Sequence, residues 1–294
     1  MMATILEDKR QGYVNPEALV STAWLAERLN APDIRIVDGS WYLAQQKRDP
    51  KAEYAAAHIP GAVFFDIDEI ADTANPLPHM LPSPEKFASR VRRLGLGDGN
   101  RIVVYDGSGS NLSACRVWWM FRVFGHRDVA VLDGGFRKWQ AEGRPVEDLP
   151  PHARDRHFTA RLDSTMVRDL DQVRANIEEQ REQVVDARSA GRFAGTQPEP
   201  RAGLRGGHIP RSFNLPYNEL AGPDGTMLPA AALRQRIEQS GLDLSKPIVA
   251  SCGSGVSACV IALALHLLGH REVAVYDGSW SEWGSRPDTP IDQS

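Results

Sequence analysis

Residues 125–134 read Gly-His-Arg-Asp-Val-Ala-Val-Leu-Asp-Gly, and residues 269–278 read Gly-His-Arg-Glu-Val-Ala-Val-Tyr-Asp-Gly. Each run is followed by a tryptophan at the same spacing, Trp139 and Trp283. Upstream, His58-Ile-Pro-Gly61 answers to His208-Ile-Pro-Arg211, and Ile36-Val-Asp38 to Val184-Val-Asp186. The order is the same in both halves. A chain that repeats itself in this way must build one domain twice. Each unit has ordinary domain size. The 294 residues and 42% hydrophobic content suffice for two cores. The two domains are expected over 1–146 and 160–294. The proline- and charge-rich stretch 143–161 reads as the linker between them.

Within each unit, short apolar runs alternate with helical patterns. Strands are expected at Ile34–Asp38, Arg101–Tyr105 and Val129–Leu132. In the second half they are expected at Gln183–Asp186, Pro247–Ser251 and Glu272–Tyr276. Apolar helices are expected at Val117–Phe124 and Val256–Leu268, each ending on a glycine that accepts the left-handed conformation. This alternation predicts an α/β fold around mainly parallel sheets flanked by helices.

The chemistry concentrates at Cys252-Gly-Ser-Gly-Val-Ser257, between a strand and an apolar helix. Backbone N–H groups in such a turn have no helical partners and converge on one point. Gly253 and Gly255 supply the dihedral freedom and close approach that a tight cradle needs. The cradle is expected to favour Cys252 as a thiolate or persulfide. Cys252 in isolation would read as an inert buried cysteine, as Cys259 and Cys115 do within their apolar helices. The glycine loop reverses that reading for Cys252 alone. In the first half Asp106 occupies the cysteine position, and its loop is two residues longer. A carboxylate cannot take up sulfur, so one catalytic and one inactive copy are expected.

These motifs resemble the tandem-domain rhodanese family of sulfurtransferases, in its mercaptopyruvate branch. His58–Asp68, His79-Met-Leu-Pro82 and Val117–Arg122 carry the resemblance in the first half. Gly191-Arg-Phe193, Pro198-Glu-Pro-Arg201, Gly207–Pro210 and the Cys252 loop carry it in the second. The resemblance implies sulfur transfer from 3-mercaptopyruvate through a Cys252 persulfide to a thiol, thioredoxin or cyanide, with release of pyruvate. It implies that Arg192 and Arg201 bind the donor, since guanidinium forks suit a planar keto acid. Ser254, His79 and Asp68 are implied as a proton-transfer set. Gly253, Gly255, Val256 and Ser257 complete the substrate cradle. The thiosulfate branch usually carries basic residues after the cysteine; this loop has none. Thiosulfate remains the alternative donor, and a noncatalytic binding module a remote one. A cysteine-based phosphatase would need an arginine in the loop.

No metal or organic cofactor is expected. His58 and His208 recur in both halves, and they read as structural. His266 and His270, four apart on a helix, receive the same reading. The net charge of −4 points away from nucleic acid. No apolar run is long enough to span a membrane. Met1 to Tyr13 shows no apolar core of a secretory signal. Three scattered cysteines and no leader suit the cytoplasm. A monomer is expected. Arg211 replaces a glycine, so its turn is expected to differ slightly from that at Gly61.

Overall fold

The computed structural model describes residues 12–151 and 153–293, so most of the Met1–Tyr13 stretch lies outside the described residues. Two five-stranded sheets lie in sequence order. The first comprises β1 (Leu19–Val20), β2 (Ile34–Asp38), β3 (Val63–Phe64), β4 (Arg101–Tyr105) and β5 (Val129–Leu132). The second comprises β6 (Val167–Arg168), β7 (Gln183–Asp186), β8 (Phe213–Asn214), β9 (Ile248–Ser251) and β10 (Val273–Tyr276). Their orders are β1-β5-β4-β2-β3 and β6-β10-β9-β7-β8, the same topology, with every pair parallel. The expected α/β architecture is therefore present twice. The central strands were legible because they are buried, β-branched runs. The two-residue edge strands β1, β3, β6 and β8 leave no periodic signal, and the sequence did not reveal them.

The two apolar helices occupy Leu112–Val123 and Ala258–Leu267. The first begins earlier than its apolar run suggested, at Leu112, so it includes the polar Ser113 and Arg116. Both are buried on nearly all sides, as helices apolar around their circumference must be. They pack against each other between the sheets, and one contiguous core runs through both units. The outer sheet faces hold separate clusters around Trp139 and around Trp280 and Trp283. The stretch 143–161 lies along the first unit. Glu147 pairs with His58, and Phe158 packs edge-on to Phe87 and Phe121.

The units also grip each other symmetrically. Asp277 Oδ2 accepts from Leu81 N at 2.8 Å, and Asp133 Oδ1 accepts from Met227 N at 2.8 Å. His58 Nδ1 donates to Tyr54 O and His208 Nδ1 to Phe193 O, which suits a structural role. Arg211 keeps the left-handed backbone of Gly61, at φ 63° against 78°. The turn does not differ as expected. The surrounding fold imposes the dihedral, and the Arg211 guanidinium donates to Ile177 O.

Candidate functional site

The pairing of β7 with β9 puts Asp186 beside Ser251, and that of β2 with β4 puts Asp38 beside Tyr105. The next residues, Cys252 and Asp106, thus leave equivalent strands at equivalent points. Cys252 sits at the carboxyl edge of the central strand, where parallel α/β sheets place their ligands. It is buried. Among the described residues, the backbone N–H groups of Gly253, Ser254, Val256 and Ser257 make no hydrogen bond. Those of Cys252 and Gly255 both donate to Ser279 Oγ, at 3.2 and 3.1 Å. Ser279 holds φ 50°, a strained angle for a residue with a Cβ, and its own hydroxyl donates to Tyr276 O. Two N–H groups are thus fixed from below while four stay available.

The two loop glycines serve different ends. Gly255 adopts φ 74°, as a tight turn requires. Gly253 has no positive φ, contrary to expectation. Its missing Cβ instead makes room for Arg192, whose Nη2 would lie 2.9 Å from such an atom. Arg192 is held there by Glu199, which accepts from its Nε at 3.1 Å and its Nη2 at 2.5 Å. Glu199 is anchored in turn by Arg188, itself forked onto Asp186. Glu199 stands inside the Pro-Glu-Pro-Arg motif, yet only its arginine had been singled out. Arg201 lies within electrostatic range of Cys252 and Arg192. Burial, and then the neighbouring Arg192, lower its pKa against the opposing pull of Cys252.

The first unit supplies the opposite wall. His79 Nδ1 donates to Asp68 Oδ1 at 2.6 Å, and Trp41 Nε1 donates to Asp68 Oδ2 at 3.0 Å. Burial works to raise the Asp68 carboxyl. The bonds from His79 and Trp41, with the charge of Arg201, overcome it and leave the pKa below the usual value. Arg201 Nη2 donates to His79 Nε2 at 3.2 Å, which assigns the neutral tautomer with its proton on Nδ1. Asp68, His79 and Arg201 are therefore brought together. Ser254 is buried, but its hydroxyl makes no hydrogen bond to His79 among the described residues. Val256 and Ser257 lead into the helix as placed by the sequence, without a side-chain cap from Ser257.

Arg116 was missed altogether. It is fully buried on the first unit's inner helix. Its guanidinium donates to Gly255 O and His79 O and pairs with Asp277 Oδ1 at 2.7 Å. One side chain thus ties the cysteine loop to the histidine across the seam. The available signal was a lone charge at the start of an apolar run. Cys259 and Cys115 are fully buried, and burial raises both thiols well above the ordinary range. That agrees with their reading as core.

The rhodanese-like domain pattern matches residues 21–142 and again 169–286. The chain belongs to the rhodanese family. The resemblance read from the sequence therefore holds, over both halves. This tandem rhodanese is 44% identical to human 3-mercaptopyruvate sulfurtransferase, over 94% of this chain and 95% of that protein. It is 47% identical to bovine thiosulfate sulfurtransferase over the same shares. Among solved structures it resembles the Escherichia coli 3-mercaptopyruvate sulfurtransferase SseA. That match has a TM-score of 0.82 at 39% identity, covering 90% of this chain and 98% of that one.

Proposed function

We propose that this rhodanese transfers sulfur from 3-mercaptopyruvate through a Cys252 persulfide to a thiol, thioredoxin or cyanide acceptor. The observation that carries the reading is a buried turn at Cys252 in which four loop N–H groups make no hydrogen bond among the described residues, walled by Arg192 and Arg201. Cys252 thiolate attacks the donor sulfur, and an S–S bond forms as the C–S bond breaks. The electron pair leaves with carbon as the pyruvate enolate, which takes up a proton. The free N–H groups hold the outer sulfur of the persulfide. An acceptor thiolate then attacks that sulfur and returns Cys252 as thiolate, a ping-pong cycle.

Arg192 and Arg201 would bind the carboxylate and ketone of the donor. At rest the lone pair of His79 Nε2 is occupied by Arg201. A donor that engages Arg201 frees that nitrogen to accept a proton by way of Ser254, while Asp68 holds the imidazole tautomer. Gly253, Gly255, Val256 and Ser257 are assigned to the substrate cradle. No described helix is long and apolar enough to cross a membrane. A cytoplasmic monomer with the domain limits 1–146 and 160–294 belongs to the same proposal, although one plant relative is mitochondrial by name.

The second reading, thiosulfate as donor, is favoured by the bovine relative and opposed by the uncharged loop. Pyruvate release from 3-mercaptopyruvate with dithiothreitol, run beside thiosulfate with cyanide, separates the two. Mercaptopyruvate is expected to give the higher kcat/KM, and Arg192→Ala to depress that reaction selectively. A preference for thiosulfate defeats the arginine assignment, and turnover of neither donor favours the binding-module reading.

A further inference from the structure

At the seam between the units, toward the C-terminal ends of both inner helices, lies a cavity of about 390 Å³. No residue of the Cys252 loop lines it. His266 lies about 12 Å along its helix from Ala258 at 1.5 Å per residue. The lining includes Trp118, Trp119 and Arg122 from one inner helix, and His266 and His270 from the other and its cap. Each of these five side chains carries a buried nitrogen with no hydrogen-bond partner: Trp118 Nε1, Trp119 Nε1, Arg122 Nε, His266 Nε2 and His270 Nε2. The two tryptophans are at most 1% exposed. Native interiors leave few such atoms, and here five belong to side chains that line one space. An indole N–H can only donate, and so can a guanidinium. The missing partner must therefore be an acceptor.

Charge points the same way. Arg122, Arg127 and Arg271 all line the cavity, against one carboxylate, Asp163. None of the three arginines makes an ion pair or side-chain hydrogen bond among the described residues. Burial, and then the like charge of Arg127, lower the pKa of Arg122, although Glu17 and Asp163 counteract this. Burial, and then Arg122, push His266 down to about 4. Helix C-termini repel anions, so the arginines must outweigh that field. Three guanidiniums and two indole donors are a far larger positive presence than two helix ends of about half a charge each.

We propose that this interdomain cavity binds a small oxyanion, of the sulfate, phosphate or carboxylate type, at a site separate from the Cys252 cradle. Trp119 joins the two sites, because the Arg116 guanidinium lies 4.6 Å over its ring. Tryptophan fluorescence is the direct readout, with sulfate, phosphate and pyruvate titrated at constant ionic strength into the full chain. A saturable change at millimolar anion is expected, weakened about tenfold or more by Arg122→Gln and retained in Arg192→Ala. Trp118→Phe should weaken it too. If Arg122→Gln fails to fold, the exposed Arg271→Gln carries the comparison. Preference for sulfate or phosphate identifies a tetrahedral oxyanion, and preference for pyruvate a carboxylate. A response that never saturates, or is unchanged by all three cavity variants, means that only water fills the space, and overturns the proposal. So does a response lost in Arg192→Ala but kept in the cavity variants, which would belong to the Cys252 site. Because binding is read without turnover, its failure is distinct from failure of the sulfur-transfer reading.

Discussion

Two cradles with the same backbone ancestry have opposite contents. In the second unit, four N–H groups of the Cys252 loop are free. In the first, Asp106 fills the equivalent space itself. Its Oδ1 accepts from Ser108 N and its Oδ2 from Ala114 N, each at 2.8 Å, with Ser113 Oγ adding a third contact. A side-chain carboxylate supplies there the anion that the second cradle awaits from outside. The surrounding walls differ as well. Leu81 N donates to Asp277 and Met227 N to Asp133, so two residues earlier Gly225, at φ 78°, is the counterpart of His79, at φ 62°. A Cβ at Gly225 would stand 2.3 Å from Gly109 O. Backbone therefore closes the first cradle where an imidazole lines the second. A duplicated fold keeps an anion hole cheaply, because the strand–turn–helix geometry provides it; activity needs the hole left empty and walled with reactive groups.

The largest effect should come from exchanging the key residues. Cys252→Ser is expected to reduce sulfur transfer by at least about a thousandfold. Adding Asp106→Cys should restore none of it, because Gly225 stands where the second cradle has the His79 imidazole, although Arg48 and Arg137 lie against the first loop. Recovery of turnover by the double variant would show that the cysteine position alone separates the two units.

Next in size is the bond across the seam. Arg116→Leu leaves Asp277 buried without its cation, which typically costs about 3–5 kcal/mol. Urea unfolding should show that loss, and adding Asp277→Asn should return part of it. No loss in the single variant would mean that water reaches Asp277 and the seam is looser than described.

A smaller contrast has opposite signs in the two units. Asp186 is buried against Arg188, but its counterpart Asp38 has Ser40 in place of that arginine and no ion pair among the described residues. Burial raises the Asp38 carboxyl to about 6. A folded pKa above the unfolded one gives stability that is present below about pH 4 and is lost as pH rises through 6. Asp38→Asn should therefore stabilise the chain at pH 7, by about 1–3 kcal/mol, less at pH 5, and negligibly near pH 4. Asp186→Asn should destabilise it at neutral pH by stripping Arg188 of its partner. Equal effects of the two variants in pH-dependent unfolding would erase the distinction.

The smallest effect concerns the turns at Gly61 and Arg211. Arg211→Gly should relieve left-handed strain and gain up to about 1 kcal/mol, read as a higher urea midpoint. A loss instead would show that the Arg211 bond to Ile177 O outweighs the strain.

The sequence alone determined the repeat, the α/β class, the central strands and the cysteine loop. Each depends on neighbours in the chain: β-branched runs, glycines at fixed offsets, and an aspartate where the copy needs a cysteine. Residues such as Cys252, Gly255 and the core cysteines were legible for that reason. Tertiary structure alone decided which distant groups meet. Glu199 steering Arg192, seven residues away, and Ser279 anchoring two loop N–H groups depend on how the second unit folds. Arg116 reaching Gly255 and His79, and Arg201 rather than Ser254 on His79 Nε2, join residues far apart in sequence. Such contacts follow from how two sheets and two inner helices dock. Docking is set by shape and buried area summed over the whole interface, and no local spacing encodes it.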